Sequence, residues 1–286
     1  MDTENLVDTL GLERLEVNLF RGTTPDTSPG RIFGGQVIAQ SLLAAYETVE
    51  DRLCHSQHCY FIRPGDPTVP IIFEVDRSRD GGSFTTRRVI AVQHGQQIFN
   101  LAASFQVHEE GFEHQAPMPT APAWGDLPDE IELQKEAMKT APEQARSWLS
   151  RPRPIEIRPV DARGWRDTTP KPPENLVWFR ARDPIGDDQH MHQVILAYAS
   201  DMSLLSTSSR PHGVHWQTPG FQSASLDHVM WFHRPVNFNN WHLYEQDSPS
   251  ASGGRGFNRG AIYAEDGTLV ASVAQEGLMR MRASKS

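Results

Sequence analysis

The sequence predicts an α+β protein made of two similar halves, each an antiparallel sheet wrapped around one central helix. Three observations lead to this prediction: a strand motif that occurs twice, an apolar helix ahead of each copy, and a proline-rich stretch between the copies. A sheet with one apolar face needs an element that covers that face, and one apolar helix per sheet can do so.

The strand motif repeats in register with several residues that follow it. Residues 60–64, Tyr-Phe-Ile-Arg-Pro, reappear at 231–235 as Trp-Phe-His-Arg-Pro, an offset of 232 − 61 = 171. At an offset of 253 − 81 = 172, the residues Gly81, Gly82, Arg87 and Gly95 reappear as Gly253, Gly254, Arg259 and Gly267. The change from 171 to 172 corresponds to one residue inserted between the two blocks. Matches in the same order at an offset this constant predict two copies of one structural unit.

Each copy contains the same succession of strands. The aromatic strand ends at Arg-Pro, a second strand follows at 87–92 or 259–264, and a turn then leads to a third strand. The turn is His94-Gly95 in the first copy and Asp266-Gly267 in the second. Asp-Gly between alternating apolar residues is a strong hairpin signal, and His-Gly is a weaker one.

The helices and the domain boundaries come from apolar spacing and proline content. Helical spacing predicts one helix at 34–49, through Ile38, Leu42, Ala45, Tyr46 and Val49, and another at 192–205, through Val194, Tyr198, Met202 and Leu205. Eleven of the 21 prolines lie between 117 and 173. We therefore expect domains at 1–115 and 151–286, joined by a linker at 116–150 with a surface helix over 128–148.

Composition excludes several classes of function. The 286 residues carry a formal charge of −9, which argues against nucleic acid as a partner. No stretch approaches the ~18 consecutive apolar residues of a membrane span, and the acidic start does not resemble a signal peptide. Cys54 and Cys59, five residues apart on one strand, are expected on opposite faces and unable to pair. These features predict a cytoplasmic protein without stable membrane insertion.

The candidate site residues come from comparing the two copies. Gln275 falls on the inward face of the third strand of the second copy, where the first copy has Ala103. Asp201 lies on the apolar stripe of the second helix, whereas residues 34–46 of the first contain no acid. A buried carboxylate is costly and needs a reason. A backbone-bonded glutamine and a helix-ending aspartate are the structural alternatives.

Ser225, at the start of the aromatic strand, is the third candidate. Its counterpart in the first copy, at the offset of 171, is Cys54, which is also small. Alternation along the strand places the Ser225 side chain on the face with Asp227, Val229 and Trp231, opposite to that of His228. No Gly-x-Ser-x-Gly motif occurs. Asp187, Asp188, His190 and His192 lack a second spaced ligand pair, so we expect no metal there.

Several motifs together resemble the type II acyl-CoA thioesterases. They are Phe33-Gly34-Gly35-Gln36, residues 58–66, residues 111–115, Tyr198-Ala199-Ser200-Asp201, residues 226–235 and residues 269–277. The resemblance implies two fused hotdog domains and a catalytic set of Asp, Thr or Ser, and Gln that activates a water. Matched by motif, these are Asp201, Ser225 and Gln275, with Ser where relatives have Thr.

The expected activity is hydrolysis of medium- to long-chain acyl-CoA by direct water attack, without metal or cofactor, in a homo-oligomer. Backbone N–H groups near Gly34 and Gly35 are the expected oxyanion donors. The final Ser284-Lys285-Ser286 departs from the Ser-Lys-Leu signal of peroxisomal members, which favours the cytoplasm. Two alternatives stay open: an enoyl-CoA hydratase-like hotdog enzyme, using 187–190, and a non-catalytic acyl-CoA-binding module.

Overall fold

The computed structural model describes residues 5–25, 30–141, 146, 153–162, 167–216 and 218–282. Among these, no helix combines the length and the apolarity needed to cross a membrane. Trp148, within the expected surface helix, and the final tripeptide 284–286 lie outside the described residues.

The first half contains a short helix, a hairpin, the first central helix and four long strands. These elements are α1 (Leu6–Leu10), β1 (Leu12–Glu16), β2 (Leu19–Gly22), α2 (Gly34–Tyr46), β3 (Leu53–Phe61), β4 (Ile71–Asp80), β5 (Phe84–Gln93) and β6 (Gln96–Gln106). The β5–β6 turn has positive φ at His94 and Gly95, the geometry of a tight hairpin, and so confirms the weaker of the two turn predictions.

The second half repeats this succession after a connecting segment. The connection holds a 3₁₀ helix (Trp124–Asp126) and α3 (Glu130–Met138). The second half then contains β7 (Ile155–Pro159), β8 (Glu174–Ala181), α4 (Gln189–Ser200), a 3₁₀ helix (Leu204–His212), β9 (Phe221–Ser225), β10 (Asp227–Phe232), β11 (His242–Ser252), β12 (Arg255–Ala264) and β13 (Leu269–Met281).

The strands form one continuous antiparallel sheet with internal symmetry. Its order across the described residues is β1-β2-β4-β5-β6-β3-β10-β13-β12-β11-β8-β7, with β9 paired to β13. Read from its two ends, the sheet has the same order of equivalent strands, so β3 corresponds to β10 and β6 to β13. The predicted pair of hotdog domains is confirmed, and the two sheets join through β3 and β10.

The symmetry centre lies at His58 and Val229, which face each other across the β3–β10 junction. Their separation in sequence, 229 − 58 = 171, equals the offset of the repeat. The neighbouring pairs are symmetric about this point: Gln57 faces Met230 and Cys59 faces His228. The counterpart of each of these residues at the offset of 171 lies in the other pair. The junction is therefore a local two-fold axis that relates the halves of one chain.

The two central helices pack against each other under this sheet. The ring of Phe33, which precedes α2, meets the ring of Tyr198 on α4 edge-on at 5.0 Å. Helix α4 begins earlier than predicted because the Asp188 side chain accepts from the His190 backbone N–H and caps it. It ends at Ser200, a turn follows at 201–203, and a 3₁₀ helix begins at Leu204, so Leu205 belongs to a separate element.

Because of two β-bulges, four side chains do not point to the sheet faces that strict alternation predicted for them. In β3, the register moves from Cys54–Phe105 to Ser56–Ser104, so one residue is extra. Cys54 and Cys59 consequently both face inward and both are buried, contrary to the prediction, and both thiols are free. Five residues of strand still separate them, too far for a disulfide.

The corresponding bulge follows Ser225. Between Ser225 and Val229 the chain advances 229 − 225 = 4 residues, while the facing strand advances 277 − 274 = 3. Ser225 therefore does not share the outward face of Asp227, and both Ser225 and His228 point inward. The prediction that His228 lies on the opposite face from Ser225 is wrong because a bulge shifts the alternation by one residue.

The proline-rich connection packs on the outside of the second half. Trp124 stacks on Trp241 at 5.0 Å, and the Arg180 guanidinium covers the Trp241 ring at 4.7 Å. Trp178 Nε1 donates to the Pro122 carbonyl at 2.9 Å. The segment therefore has a small apolar cluster of its own, which holds its irregular part against the outer face of the second half.

Candidate active site

Asp201 lies just after α4, with its side chain buried between the two central helices. It is 9% exposed, and its Oδ1 accepts from Gln275 Nε2 at 2.6 Å and from Ser225 Oγ at 3.3 Å. Its carboxylate also accepts the backbone N–H of Gly35, in the first turn of α2. The three predicted residues are thus brought together, and the first half of the chain completes their surroundings.

The environment moves the pKa of Asp201 towards neutrality. Burial, the largest cause, raises this pKa from 3.8 to about 6, while the hydrogen bonds from Gln275, Ser225 and Gly35 pull it down. A carboxylate with a pKa near 6 is ionised at neutral pH and still basic enough to accept a proton in a reaction. The structural alternative of an ordinary helix-ending aspartate does not account for two side-chain partners from separate strands.

Gln275 occupies the middle of β13 and is fully buried. Its Nε2 donates to Asp201 Oδ1 and, at 3.0 Å, to Ser225 Oγ. Its Oε1 has no hydrogen-bond partner among the described residues. The inward position predicted from Ala103 is confirmed, but its amide bonds to side chains rather than to backbone.

Ser225 is the last residue of β9 and faces Gly277 on β13. The bulge after it turns its hydroxyl towards Asp201. His228, although also inward, has its Nε2 at 3.0 Å from Ser200 Oγ, so the contact that the imidazole makes is with a different serine. Within the described residues, Ser225 is bonded to a carboxylate and an amide rather than to a histidine.

Gly35 contributes its backbone N–H to the site. Its N–H was expected to face an oxyanion, yet it is committed to the Asp201 carboxylate. A Cβ on Gly34 would lie 2.7 Å from Asp201 Oδ2, and one on Gly35 would clash with the Tyr198 carbonyl oxygen. The signal available in the sequence was the Gly34-Gly35 pair, which permits this close approach.

A cleft of about 760 Å³ opens beside Asp201 and Ser225, at the junction of the two halves. Much of its lining is apolar and comes from both halves, including Phe33, Val37, Phe61, Met202, Leu205 and Met279. Arg31 and Arg63, both exposed, also line it. The arrangement suits a ligand with an apolar chain and an anionic end.

The equivalent position in the first half is filled by a different set of residues. Tyr46 ends α2 as Ser200 ends α4, and its hydroxyl bonds to Gln193 Oε1 and receives the Cys54 backbone N–H at 2.8 Å. His190, at the start of α4, stacks on the Tyr46 ring at 4.1 Å. With Cys54 and Ala103 in place of Ser225 and Gln275, this position has no carboxylate-centred trio.

The remaining polar cluster at 187–192 has structural contacts. Asp188 caps α4, His190 stacks on Tyr46, and His192 Nδ1 accepts the Phe238 backbone N–H at 3.2 Å. Across the part of the chain that the structure describes, no group of three His, Cys, Asp or Glu side chains could hold a metal ion.

The chain is similar to acyl-CoA thioesterases over nearly its whole length. A family model described as acyl-CoA thioesterase matches residues 154–278, and one described as acyl-CoA thioesterase N-terminal domain matches residues 23–106. The chain is 40% identical to acyl-CoA thioesterase 2 of Haemophilus influenzae, covering 96% of this chain and 97% of that protein. It is 42% identical to acyl-coenzyme A thioesterase 8 of Homo sapiens, covering 96% and 88%.

Solved structures give the same picture. An acyl-CoA thioesterase II from Mycobacterium marinum has a TM-score of 0.78 and 42% identity, covering 96% of this chain and 98% of that chain. A hot dog fold protein from Alicyclobacillus acidocaldarius has a TM-score of 0.76 and 19% identity, covering 98% of this chain and 100% of that chain. At this identity the similarity supports the fold alone.

Proposed function

This chain belongs to the type II acyl-CoA thioesterases, and we propose that it hydrolyses its thioester substrates through a water molecule activated by Asp201, Ser225 and Gln275. Hydrolysis of acyl-CoA is the activity of the family. The proposal concerns the residues, the direct attack by water and the medium- to long-chain substrates. The observation that carries it is the buried trio, with a carboxylate whose pKa is raised to about 6.

The chemistry requires a positioned water and a base. Asp201 takes one proton as the water oxygen attacks the thioester carbonyl carbon, and Ser225 with the Gln275 amide orients that water. Collapse of the tetrahedral intermediate breaks the carbon–sulfur bond. The proton held on Asp201 then goes to the departing CoA sulfur, and a fatty acid and free CoA leave. A thiolate is a good leaving group, so no stronger acid is required.

The first half contributes the amino end of α2. Since the Gly35 N–H is bonded to Asp201, the Gly34 N–H, at the start of the helix and lining the cleft, becomes the oxyanion donor that we propose. The same helix end favours the ionised form of Asp201. Both halves of the chain would then act on one substrate.

The lining of the cleft supports the substrate class. Apolar side chains from both halves suit a medium- to long-chain acyl group, and Arg31 and Arg63 place positive charge beside it for the phosphates of CoA. We further propose a cytoplasmic homo-oligomer. The free thiols of Cys54 and Cys59 support the cytoplasm as a reducing location.

The two alternatives have less support. A hydratase would need His190 and its acidic neighbours, but Asp188 is a helix cap and His190 stacks on Tyr46. A silent binding module would not need a buried carboxylate between Ser225 and Gln275, because burying a charge costs stability even when it accepts hydrogen bonds.

The test is release of free thiol from a series of acyl-CoA substrates of increasing chain length. We expect turnover that rises from short to medium and long chains and is lost in Asp201→Asn. Crotonyl-CoA should yield no 3-hydroxyacyl product. Turnover that is unaffected by Asp201→Asn would contradict the assignment of the base, and a 3-hydroxyacyl product that depends on His190 would favour the hydratase.

A further inference from the structure

His228 is a fully buried histidine that the mechanism above does not use. It belongs to β10, on the inward face, and burial lowers its pKa to about 3. The ring is therefore neutral at physiological pH, with one nitrogen as donor and the other as acceptor. Nε2 lies 3.0 Å from Ser200 Oγ, and Nδ1 has no hydrogen-bond partner among the described residues.

The sheet register places His228 next to Gln275. Val229 pairs with Ala274 between β10 and β13, so the preceding residue on one strand neighbours the following residue on the other. Both side chains point inward and reach consecutive residues at the end of α4: His228 reaches Ser200, and Gln275 reaches Asp201. Gln275 Oε1, like His228 Nδ1, is buried and without a partner in the described part of the chain.

We propose that His228 is a positioning residue: its Nδ1 and Gln275 Oε1 are not hydrogen-bonded to each other in this structure, and side-chain rotation brings Nδ1–H to donate to Oε1 and fixes the orientation of the catalytic amide. This inference rests on the proposed function. It requires Ser200 to donate its hydroxyl hydrogen to Nε2 rather than to the Ala197 carbonyl, which lies at 2.9 Å. Oε1 has two lone pairs, so one remains for the attacking water.

The need for such a residue follows from the reaction itself. While Asp201 is ionised, its carboxylate keeps Nε2 of the Gln275 amide turned towards it, because Oε1 in that position would be repelled by the negative charge. Once Asp201 has taken the proton from water, it can donate to Oε1 instead, and the amide loses that constraint. A neutral histidine on the other side holds the amide in one orientation through both protonation states of Asp201.

The first half supplies a matched control. Gln57 is the counterpart of His228 at the repeat offset, 228 − 57 = 171, and it is also fully buried with side-chain atoms that lack partners among the described residues. It faces Ala103 on β6 instead of a catalytic amide. Removing its polar group disturbs the same kind of buried position on the other side of the two-fold axis, without contacting the trio.

The experiment compares kcat and KM of four variants on one acyl-CoA, with circular dichroism to verify folding. His228→Phe should lower kcat by ~10²-fold, the cost of a misplaced catalytic group, with KM little changed. His228→Asn, whose amide nitrogen can occupy the place of Nδ1, should recover most of that loss. His228→Gln, which extends towards Ser200 instead, should not. Gln57→Leu should behave as wild type.

Two results separate this inference from the proposed function. Gln275→Ala alone should lower kcat, and adding His228→Phe to it should cause no further loss, because the histidine acts through the amide. If Gln275→Ala lowers kcat while folded His228→Phe keeps it, or if Asn and Gln at 228 are equivalent, the inference is wrong and the site stands. If Gln275→Ala leaves kcat intact, both are wrong.

Discussion

The backbone N–H of Gly35 donates a hydrogen bond to the carboxylate of Asp201, so a residue of the first half holds the proposed base of the second. Asp201 follows the carboxyl end of its own helix, where the helix dipole disfavours negative charge, and lies at the amino end of α2, where the dipole favours it. The pairing of the two helices thus decides how readily Asp201 ionises.

The rate of hydrolysis should depend on pH through Asp201. With a pKa of about 6, the carboxylate is active above that value, so log(kcat/KM) should rise with unit slope up to pH about 6 and then level off. Asp201→Asn should lose ~10²- to 10⁴-fold in kcat and show no such inflection. A pH profile of wild type and variant checks this, and an unchanged inflection in Asp201→Asn would assign the pKa to another group.

Stability should show the opposite pH trend for the same residue. The folded pKa of Asp201 is raised from 3.8 to about 6, so the stabilising contribution of its neutral form is complete below pH about 4 and is lost as pH rises through 6. The loss amounts to about 3 kcal/mol at most. The free energy of unfolding of Asp201→Asn relative to wild type, measured in urea, should therefore be more favourable to the variant at pH 8 than at pH 4. Equal differences at both pH values would contradict the raised pKa.

Ser225 should orient water without becoming acylated. Its hydroxyl contacts Asp201 and the Gln275 amide, and His228 contacts Ser200 instead. Ser225→Ala should lose about 10²-fold in kcat, and Ser225→Thr should remain active because it keeps the hydroxyl. Mass spectrometry of enzyme quenched during turnover of a slow acyl-CoA should find unmodified protein; an acyl adduct on Ser225 would establish a covalent mechanism.

Gly34→Ala should reduce activity with little loss of stability. The added Cβ would lie 2.7 Å from Asp201 Oδ2 and 3.0 Å from the Phe61 ring, so side chains must shift, while alanine itself favours the helix. Gly82→Ala is the matched control, since a Cβ there meets nothing within 4 Å. Kinetics and thermal melts of both variants test this. Full activity in Gly34→Ala would show that Asp201 tolerates displacement.

Each chain should carry one active site. The equivalent position of the first half is filled by Tyr46, whose hydroxyl is bonded to Gln193 and to the Cys54 backbone. Calorimetric titration with a non-hydrolysable acyl-CoA analogue should therefore give one equivalent per chain. Tyr46→Phe should destabilise the fold by ~1–3 kcal/mol, since it leaves buried partners unsatisfied, and should preserve kcat. Two equivalents per chain, or loss of kcat in folded Tyr46→Phe, would indicate a second site.

The sequence by itself determined the duplicated architecture and the candidate trio. Apolar periodicity and the repeat offset are both read along the chain without knowing which strands pair, so they predicted the two helices, the hairpin turns and the replacement of Ala103 by Gln275. The family motifs identified Asp201 and Ser225 by position. These properties survive folding because each motif and turn is encoded within a few residues of chain, and the duplication only repeats them.

Only the tertiary structure decided which groups meet. The pairing of His58 with Val229 joins two predicted sheets into one, and it brings Gly35 to Asp201 from the other half. The bulges after Cys54 and Ser225 turn Cys59 and His228 inward, against strict alternation. A bulge is one extra residue relative to the facing strand, so it is defined by the pairing of two strands and no period along one strand contains it.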